Sequence, residues 1–346
     1  MTPRTLQLLG AVTAVLIVAL IALEFGGRDD SGGAGDLLLP GFEAVANDVN
    51  EVRVTRADDE TVTLRRNDGG GWTVAERDDY AADVGELRQL IVALAEATVV
   101  EEKTSNPDLY ERLGVGDPDA GGKGTVLTLS GPDAEHTVIL GDVAQSTHRY
   151  ARVADQATSY LINTNPSVPA SAADWLSGDL IDIGSDEIRR VEIAHADGET
   201  LVIEKTEQAQ TDFDLVDVPQ GRELSYPTVG NGVAGALDSL ELDDVRSATE
   251  TAPQTTTTFR TWDGLTVTAA IVADEDEHWV RLSASADDDV EAAADTGENG
   301  DAPTAADEAG PKPADTAARL NERTAGWEYR LPEFKTNTLQ RRWDDM

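Results

Sequence analysis

The chain has 346 residues, with 66 acidic against 27 basic side chains, which gives a formal net charge of -39. Phosphate groups are bound by clustered lysine and arginine side chains. The negative charge therefore argues against nucleic acid as a partner, and against docking on anionic lipid through a basic patch. The sequence contains no cysteine, which excludes disulfides, thiolate metal sites and a cysteine-linked lipid anchor. The length suffices for two domains, each with its own core.

An apolar run spans residues 5–25. About 20 apolar residues at ~1.5 Å rise cross the ~30 Å hydrocarbon core of a bilayer, so the run predicts a transmembrane anchor. Arg4 precedes it, and the positive-inside rule places residues 1–4 in the cytoplasm and the chain after the span outside. A cleaved signal peptide is the alternative, although no small-x-small cleavage site follows the run. We expect a single-pass protein of the cytoplasmic (inner) membrane with its bulk periplasmic or extracytoplasmic, in contact with the lipid bilayer through the N-terminal span.

A glycine-rich tether at residues 26–42 leads into the first predicted module, residues 43–186. Apolar and polar residues alternate through residues 49–65 around a polar turn, which predicts a β-hairpin. A third strand follows at Trp72. The next element is a helix whose predicted apolar face consists of Val84, Leu87, Ile91 and Leu94.

The same order of elements recurs in residues 187–346, the second predicted module. Residues 191–203 align with hairpin residues 52–64 without a gap, and Asp197–Gly198 supplies the turn. The helix positions also align, with Leu87, Ile91 and Leu94 matched by Val233, Leu237 and Leu240. Matched spacing of this kind indicates an internal repeat. The predicted fold is α+β: an N-terminal transmembrane helix, then two tandem related modules of mostly antiparallel sheet, each with one main helix.

The second module carries an acidic insert at about residues 284–317, rich in Asp, Glu, Ala, Gly and Pro. Such a segment cannot bury enough apolar area to offset its chain entropy, so we predict that it is disordered. Its clustered carboxylates, Asp287, Asp288 and Asp289, lack the spacing of an EF-hand calcium loop. We therefore predict no calcium site there.

No catalytic, cofactor or metal motif is present in the sequence. The glycine clusters lack the patterns of phosphate-binding loops, and there is neither a G-x-S-x-G nor an S-x-x-K motif. The four histidines lie in or beside predicted strands and lack zinc-ligand spacing; they are His136, His148, His195 and His278. We therefore assign no catalytic, cofactor-binding or metal residue, expect no cofactor, and leave the binding residues unassigned.

Two stretches, residues 103–115 and residues 221–228, have more distinctive residue patterns than an ordinary β-sheet requires. In the first, Ser105 or Asn106 can cap a short helix that begins at Pro107 and is closed by Gly114. Its expected buried face is formed by Leu109, Tyr110 and Leu113. Structural roles account for both stretches.

Four runs carry a resemblance to a known family: K-T-S-N-P-x-L-Y-x-R-L-G-V at 103–115, R-E-L-S-Y-P-T at 222–228, W-D-G-L-T-V at 262–267 and G-W-E-Y-R-L-P at 326–332. Together they resemble the bacterial domain of unknown function 4340, over essentially the whole chain after the anchor. The resemblance implies a membrane-anchored envelope protein, often encoded beside an ABC transporter and a partner similar to a gliding-motility auxiliary protein. No catalytic residues are established for that family, so none is carried over.

The leading hypothesis is a non-enzymatic envelope protein, an extracytoplasmic accessory of an ABC-type (gliding-motility-like) transport complex. Its expected partner is a membrane protein complex. A ligand-binding module is one alternative. A carboxylate-based hydrolase of cell-wall glycan is the other, and it requires an apolar cleft with a carboxylate of raised pKa.

Overall fold

The structure is a computed structural model, and it describes residues 34–57, 60–145, 147–221, 224–226, 228–275, 277–287 and 312–346. The predicted cytoplasmic terminus at residues 1–4, the span at residues 5–25 and the first part of the tether lie outside these ranges. None of the helices within them combines the length and the apolar character that a bilayer crossing requires.

The chain divides into two compact units. The first comprises the chain up to Gly70 together with residues 84–168, and the second comprises residues 71–83 and 169–346. In this division residues 71–83 and 169–186 group with the second unit, and not with the predicted module 43–186. Both units consist mostly of antiparallel sheet with few helices, an α+β architecture.

Seven strands of the first unit are ordered β2-β1-β6-β7-β8-β9-β5, all antiparallel to their neighbours. Their bounds are β1 Glu51–Thr55, β2 Thr61–Arg66, β5 Val99–Thr104, β6 Thr125–Ser130, β7 Glu135–Gln145, β8 His148–Val153 and β9 Ser159–Ile162. The predicted hairpin is confirmed, because Val52 lies opposite Leu64 and Val54 opposite Val62. All four side chains are buried, so one face of the hairpin forms the core.

Within the described residues of the first unit there are two α-helices, α1 Phe42–Val45 and α2 Val84–Ala95. Helix α2 buries Leu87, Leu90 and Leu94. The predicted apolar face was therefore wrong at two of its four residues, since Ile91 is only half-buried and Val84 is exposed. The i, i+3, i+7 spacing of the buried leucines places them on one side of the helix.

The described chain enters the first unit along the beginning of β5. Gly35 N–H donates to the Val99 carbonyl at 2.7 Å, and Leu38 N–H donates to the Ala97 carbonyl at 2.8 Å. Leu38 and Phe42 are then fully buried. The second half of the predicted tether is therefore part of the first unit's core.

The stretch at residues 103–115 forms a 3₁₀ helix, Pro107–Arg112, at the predicted place. Asn106 Oδ1 accepts a hydrogen bond from the Asp108 N–H at 3.1 Å, which is the predicted cap. Tyr110 is buried, and the Arg152 guanidinium lies 4.7 Å from its ring centroid. Leu109, however, is 37% exposed and Leu113 is only half-buried, so the predicted buried face is confirmed at Tyr110 alone.

The second unit contains an eight-stranded antiparallel sheet ordered β13-β12-β11-β16-β17-β18-β19-β15. Its strands are β11 Ile188–His195, β12 Thr200–Glu204, β13 Asp214–Val216, β15 Asp244–Ser247, β16 Thr255–Thr261, β17 Leu265–Asp274, β18 Glu277–Ala286 and β19 Trp327–Arg330. Two smaller antiparallel pairs complete the unit: β3 Trp72–Val74 with β4 Tyr80–Ala81, and β10 Asp179–Ile181 with β14 Leu240–Glu241.

The described part of the second unit contains three α-helices, α3 Val229–Ala234, α4 Pro313–Thr324 and α5 Glu333–Leu339. The expectation of one main helix was therefore wrong here. The predicted long helix ends at Ala234, Leu237 follows in a 3₁₀ turn, and Leu240 lies in β14. Val233, Leu237 and Leu240 are nevertheless all buried, as the sequence pattern indicated.

Both ends of the predicted acidic insert are structured. Residues 284–286 complete β18, and Pro313 begins α4, where Ala317 is buried against the sheet. The disorder prediction was therefore wrong for these ends. Residues 288–311 lie outside the described residues, as do Arg222, Glu223 and Pro227 of the stretch at residues 221–228.

Candidate functional site

A concavity of about 880 Å³ opens on the second unit, between helix α5 and the paired ends of β11 and β16. The ten side chains that line it include a single apolar one, Phe334. Pockets for small molecules have volumes of about 300–1,000 Å³ and are mostly apolar, so this one has the size of a ligand site with an unusually polar wall. We call it the polar groove.

Helix α5 provides one wall of the polar groove. Phe334, Asn337 and Thr338 lie at i, i+3 and i+4, and therefore share one face of the helix. The opposite face holds the helix in place, since Thr336 and Leu339 are buried. Phe334 is 66% exposed, which leaves most of an aromatic ring in solvent at the rim of the groove.

His195 at the end of β11 forms the floor of the groove and is 6% exposed. Its Nε2 lies 3.1 Å from the carbonyl oxygen of Arg341, and its Nδ1 lies 2.9 Å from Thr255 Oγ1. Because a carbonyl can only accept, Nε2 carries a proton and donates to it, while Nδ1 and the Thr255 hydroxyl form the second hydrogen bond of the ring. Both ring nitrogens are thus occupied in fixing the backbone at residue 341.

Arg341 lines the groove without a partner for its charge. Across the described ranges its guanidinium makes no ion pair and no hydrogen bond, and its Nη1 is buried. An unsatisfied buried donor costs about 1–3 kcal/mol, and such groups are rare in folded proteins. Arg341 as a whole is half-buried, so a ligand in the groove can reach the exposed part of its side chain but not the buried Nη1.

Arg342, the next residue, is fully paired. Its Nη1 lies 2.8 Å from Asp197 Oδ2 and 2.7 Å from Glu199 Oε2, both in the turn between β11 and β12. A hydrogen bond from the Glu199 N–H, followed by the bond from Arg342, lowers the pKa of Asp197 below its usual value. Trp343 N–H also donates to Glu199 Oε1 at 2.7 Å, which fastens the chain after α5 to this turn.

The four histidines lie in strands, as predicted, and only His195 reaches the groove. His136 in β7 packs edge-on against Phe42 at 5.0 Å, while His148 and His278 occupy β8 and β18. In the ranges that the structure describes, no cluster of three His, Asp or Glu side chains is arranged to hold a metal ion. The sequence analysis did not identify the other groove residues as candidates. Their one local signal is a phenylalanine that is exposed to solvent and lies among amide residues.

Hydrogen bonds lower the pKa of three carboxylates in the described chain, Asp78, Asp197 and Glu328. Hydrogen bonds from the Ser247 hydroxyl and N–H lower the pKa of Asp78. Burial alone would raise the pKa of Glu328, but hydrogen bonds from Thr249, Arg281 and Arg246 outweigh it and lower the value. These carboxylates, like Asp197, are anions stabilised by donors, the opposite of a carboxyl prepared to act as an acid.

The sequence profile of the family described as Domain of unknown function (DUF4340) matches residues 72–258, more than half of the chain. The chain belongs to this family. The match with the domain of unknown function 4340 begins at β3 and ends within β16, so it includes His195, Gln254 and Thr255 of the polar groove and stops before α5. Neither a curated protein nor a solved structure matches the chain significantly.

Proposed function

We propose that this protein is a non-catalytic, single-pass envelope protein that serves as an extracytoplasmic accessory of an ABC-type transport complex, and that it binds a ligand in the polar groove. The groove carries the ligand-binding part of the proposal: a concavity of about 880 Å³ with an exposed aromatic ring and an arginine without a partner in the described chain. Its size suits a ligand, and its free donors suit recognition.

The accessory role is supported by sequence and not by the groove. The apolar run at residues 5–25 is long enough to anchor the chain, and a single apolar span offers no lining for a water-filled route of its own. The family resemblance adds the gene neighbourhood of an ABC transporter. A partner that spans the membrane is therefore the simplest complement to an anchored, ligand-binding chain.

We further propose that the two units are tandem related modules. The order β12-β11-β16-β17-β18-β19-β15 in the second unit has the same sequence succession as β2-β1-β6-β7-β8-β9-β5 in the first. Val191 lies opposite Ile203 as Val52 lies opposite Leu64, which are the positions aligned in the sequence. Shared topology together with gap-free spacing supports descent from one duplicated module.

A ligand-binding module that acts without a transporter is the second candidate, because the same groove favours it. A carboxylate hydrolase is less favoured. An acid catalyst needs an apolar environment that raises the pKa of its carboxyl group. The groove is instead lined mostly by polar side chains, and the pKa of the carboxylates described above is lowered.

Affinity capture from native membranes tests the accessory role. The full chain, tagged after Met346 and extracted in mild detergent, is expected to recover ABC-type transporter subunits. A reporter that is active only in the cytoplasm, fused at the same position, should be silent. Recovery of the chain alone, or an active reporter, would contradict the proposal.

A further inference from the structure

We propose that the polar groove binds an uncharged, hydroxyl-rich sugar chain. This inference rests on the proposed function, because it names the ligand class of the same groove. It is carried by the side chains that line the groove, by their free hydrogen-bonding capacity and by the charge around them.

Three amide side chains face the groove with their capacity unused. Gln254, Asn337 and Gln340 line it, and within the described ranges none of their side-chain amides bonds to another protein group. An amide offers two donors and an acceptor, and a sugar hydroxyl is likewise both donor and acceptor. A wall of free amides therefore complements a ligand whose surface is covered with hydroxyls, more closely than it complements a purely anionic or apolar one.

Phe334 supplies the apolar complement that a sugar ring requires. A pyranose has one face of C–H groups, and an aromatic ring packs against such a face while the hydroxyls at the ring edge reach polar neighbours. Phe334 is 66% exposed and is the sole apolar residue of the lining. A ligand with an extended apolar surface would make one aromatic contact and leave the polar groups of the groove unpaired. A sugar chain can use the aromatic ring and the polar groups together.

The charge of the protein favours an uncharged chain. The net charge of -39 repels a polyanion at long range, although salt screens this beyond ~8 Å at physiological ionic strength. Inside the groove the charge of Arg342 is already matched by Asp197 and Glu199. The other two charged side chains of the lining, Arg341 and Asp345, have opposite signs. The exposed part of the Arg341 guanidinium can donate to hydroxyl and ring oxygens without requiring an anion.

Calorimetric titration of the purified full chain in detergent tests this with defined probes: the hexasaccharides of glucose, of mannose and of N-acetylglucosamine. At least one should bind with a Kd below about 1 mM, and the affinity should stay within twofold between low and molar salt. Phe334→Ala and Arg341→Ala should each weaken binding at least tenfold, whereas Phe334→Trp keeps a ring and should retain it.

Matched controls are Arg319→Ala on α4 and Val92→Ala on α2, which remove exposed side chains elsewhere and should leave affinity unchanged. Failure of all three hexasaccharides to bind would overturn the inference. Tighter, salt-dependent binding of an oligogalacturonate or an oligoglutamate peptide would also overturn the inference. Sugar binding without recovered transporter subunits would refute only the accessory role, and recovered subunits without sugar binding would refute only the ligand class.

Discussion

Arg281 Nε donates a hydrogen bond at 2.8 Å to Oε1 of Glu328, a carboxylate whose side chain has no exposed surface. The other oxygen accepts from Arg246 Nε at 2.8 Å, and Thr249 donates to Oε1 through both its N–H and its hydroxyl. These donors come from β15, β18 and the segment after β15. Glu328 in β19 therefore joins three parts of the second unit through one buried anion.

Replacing this carboxylate is expected to destabilise the second unit. Glu328→Gln keeps the shape but removes the charge with which both arginines pair, although Arg246 retains its ion pair with Asp274. Breaking a buried pair costs about 3–5 kcal/mol. We expect about 3 kcal/mol, the lower end, because Arg246 and Arg281 are each about a quarter exposed. Urea unfolding at pH 7 measures this loss of stability. The control is Glu322→Gln at an exposed position, which should change the free energy of unfolding by less than about 0.5 kcal/mol. Equal stability of the two variants would show that Glu328 does not stabilise the fold.

The same residue gives a pH dependence of defined sign. Because its pKa is lowered in the folded state, the stabilisation by Glu328 is fully present above the ordinary pKa of 4.5 and is lost as pH falls through the lowered value. The stability difference between the natural chain and Glu328→Gln should therefore be largest near pH 7 and shrink below pH 4.5. Urea midpoints of both proteins from pH 7 to pH 3 check this, and a constant difference would contradict it.

Two glycines of α3 should respond differently to alanine. A Cβ on Gly232 would meet only Arg341 Nη1, at 3.8 Å, which is ordinary contact distance. Gly232→Ala should then stabilise the chain by about 0.5–1 kcal/mol through helix propensity. A Cβ on Gly230 would lie 3.3 Å from Ile203 Cγ2, so Gly230→Ala should gain less or destabilise. Thermal unfolding of both variants measures the difference, and a larger gain for Gly230→Ala would refute the packing described here.

The hairpins could be predicted because their signal is local: a two-residue period fixes which side chains face the core. Val52, Val54, Val191 and Ile193 all lie where alternation placed them. Helix α2 was less determined, since Leu90 and Ile91 lie on adjacent stripes of a 3.6-residue period and packing alone selects Leu90.

The groove could not be predicted at all. His195 and Gln254 are joined there to residues 334–345, and nothing in the sequence spacing shows that these segments meet. Arg341 and Arg342 are adjacent and chemically identical, and only the fold gives one of them two carboxylates and the other none.

The proposed repeat predicts that truncating the aligned leucines of the two units lowers the free energy of unfolding by similar amounts. Leu94 ends the buried face of α2, and Leu240 lies in β14; their exposed fractions are 0% and 1%. Truncation of a buried leucine to alanine costs about 2–5 kcal/mol, so Leu94→Ala and Leu240→Ala should each fall in that range. Ile91→Ala, at a half-buried position, should cost less than either. Chemical unfolding of the three variants measures this, and a cost below about 1 kcal/mol for either leucine would show that the aligned position is not part of a core.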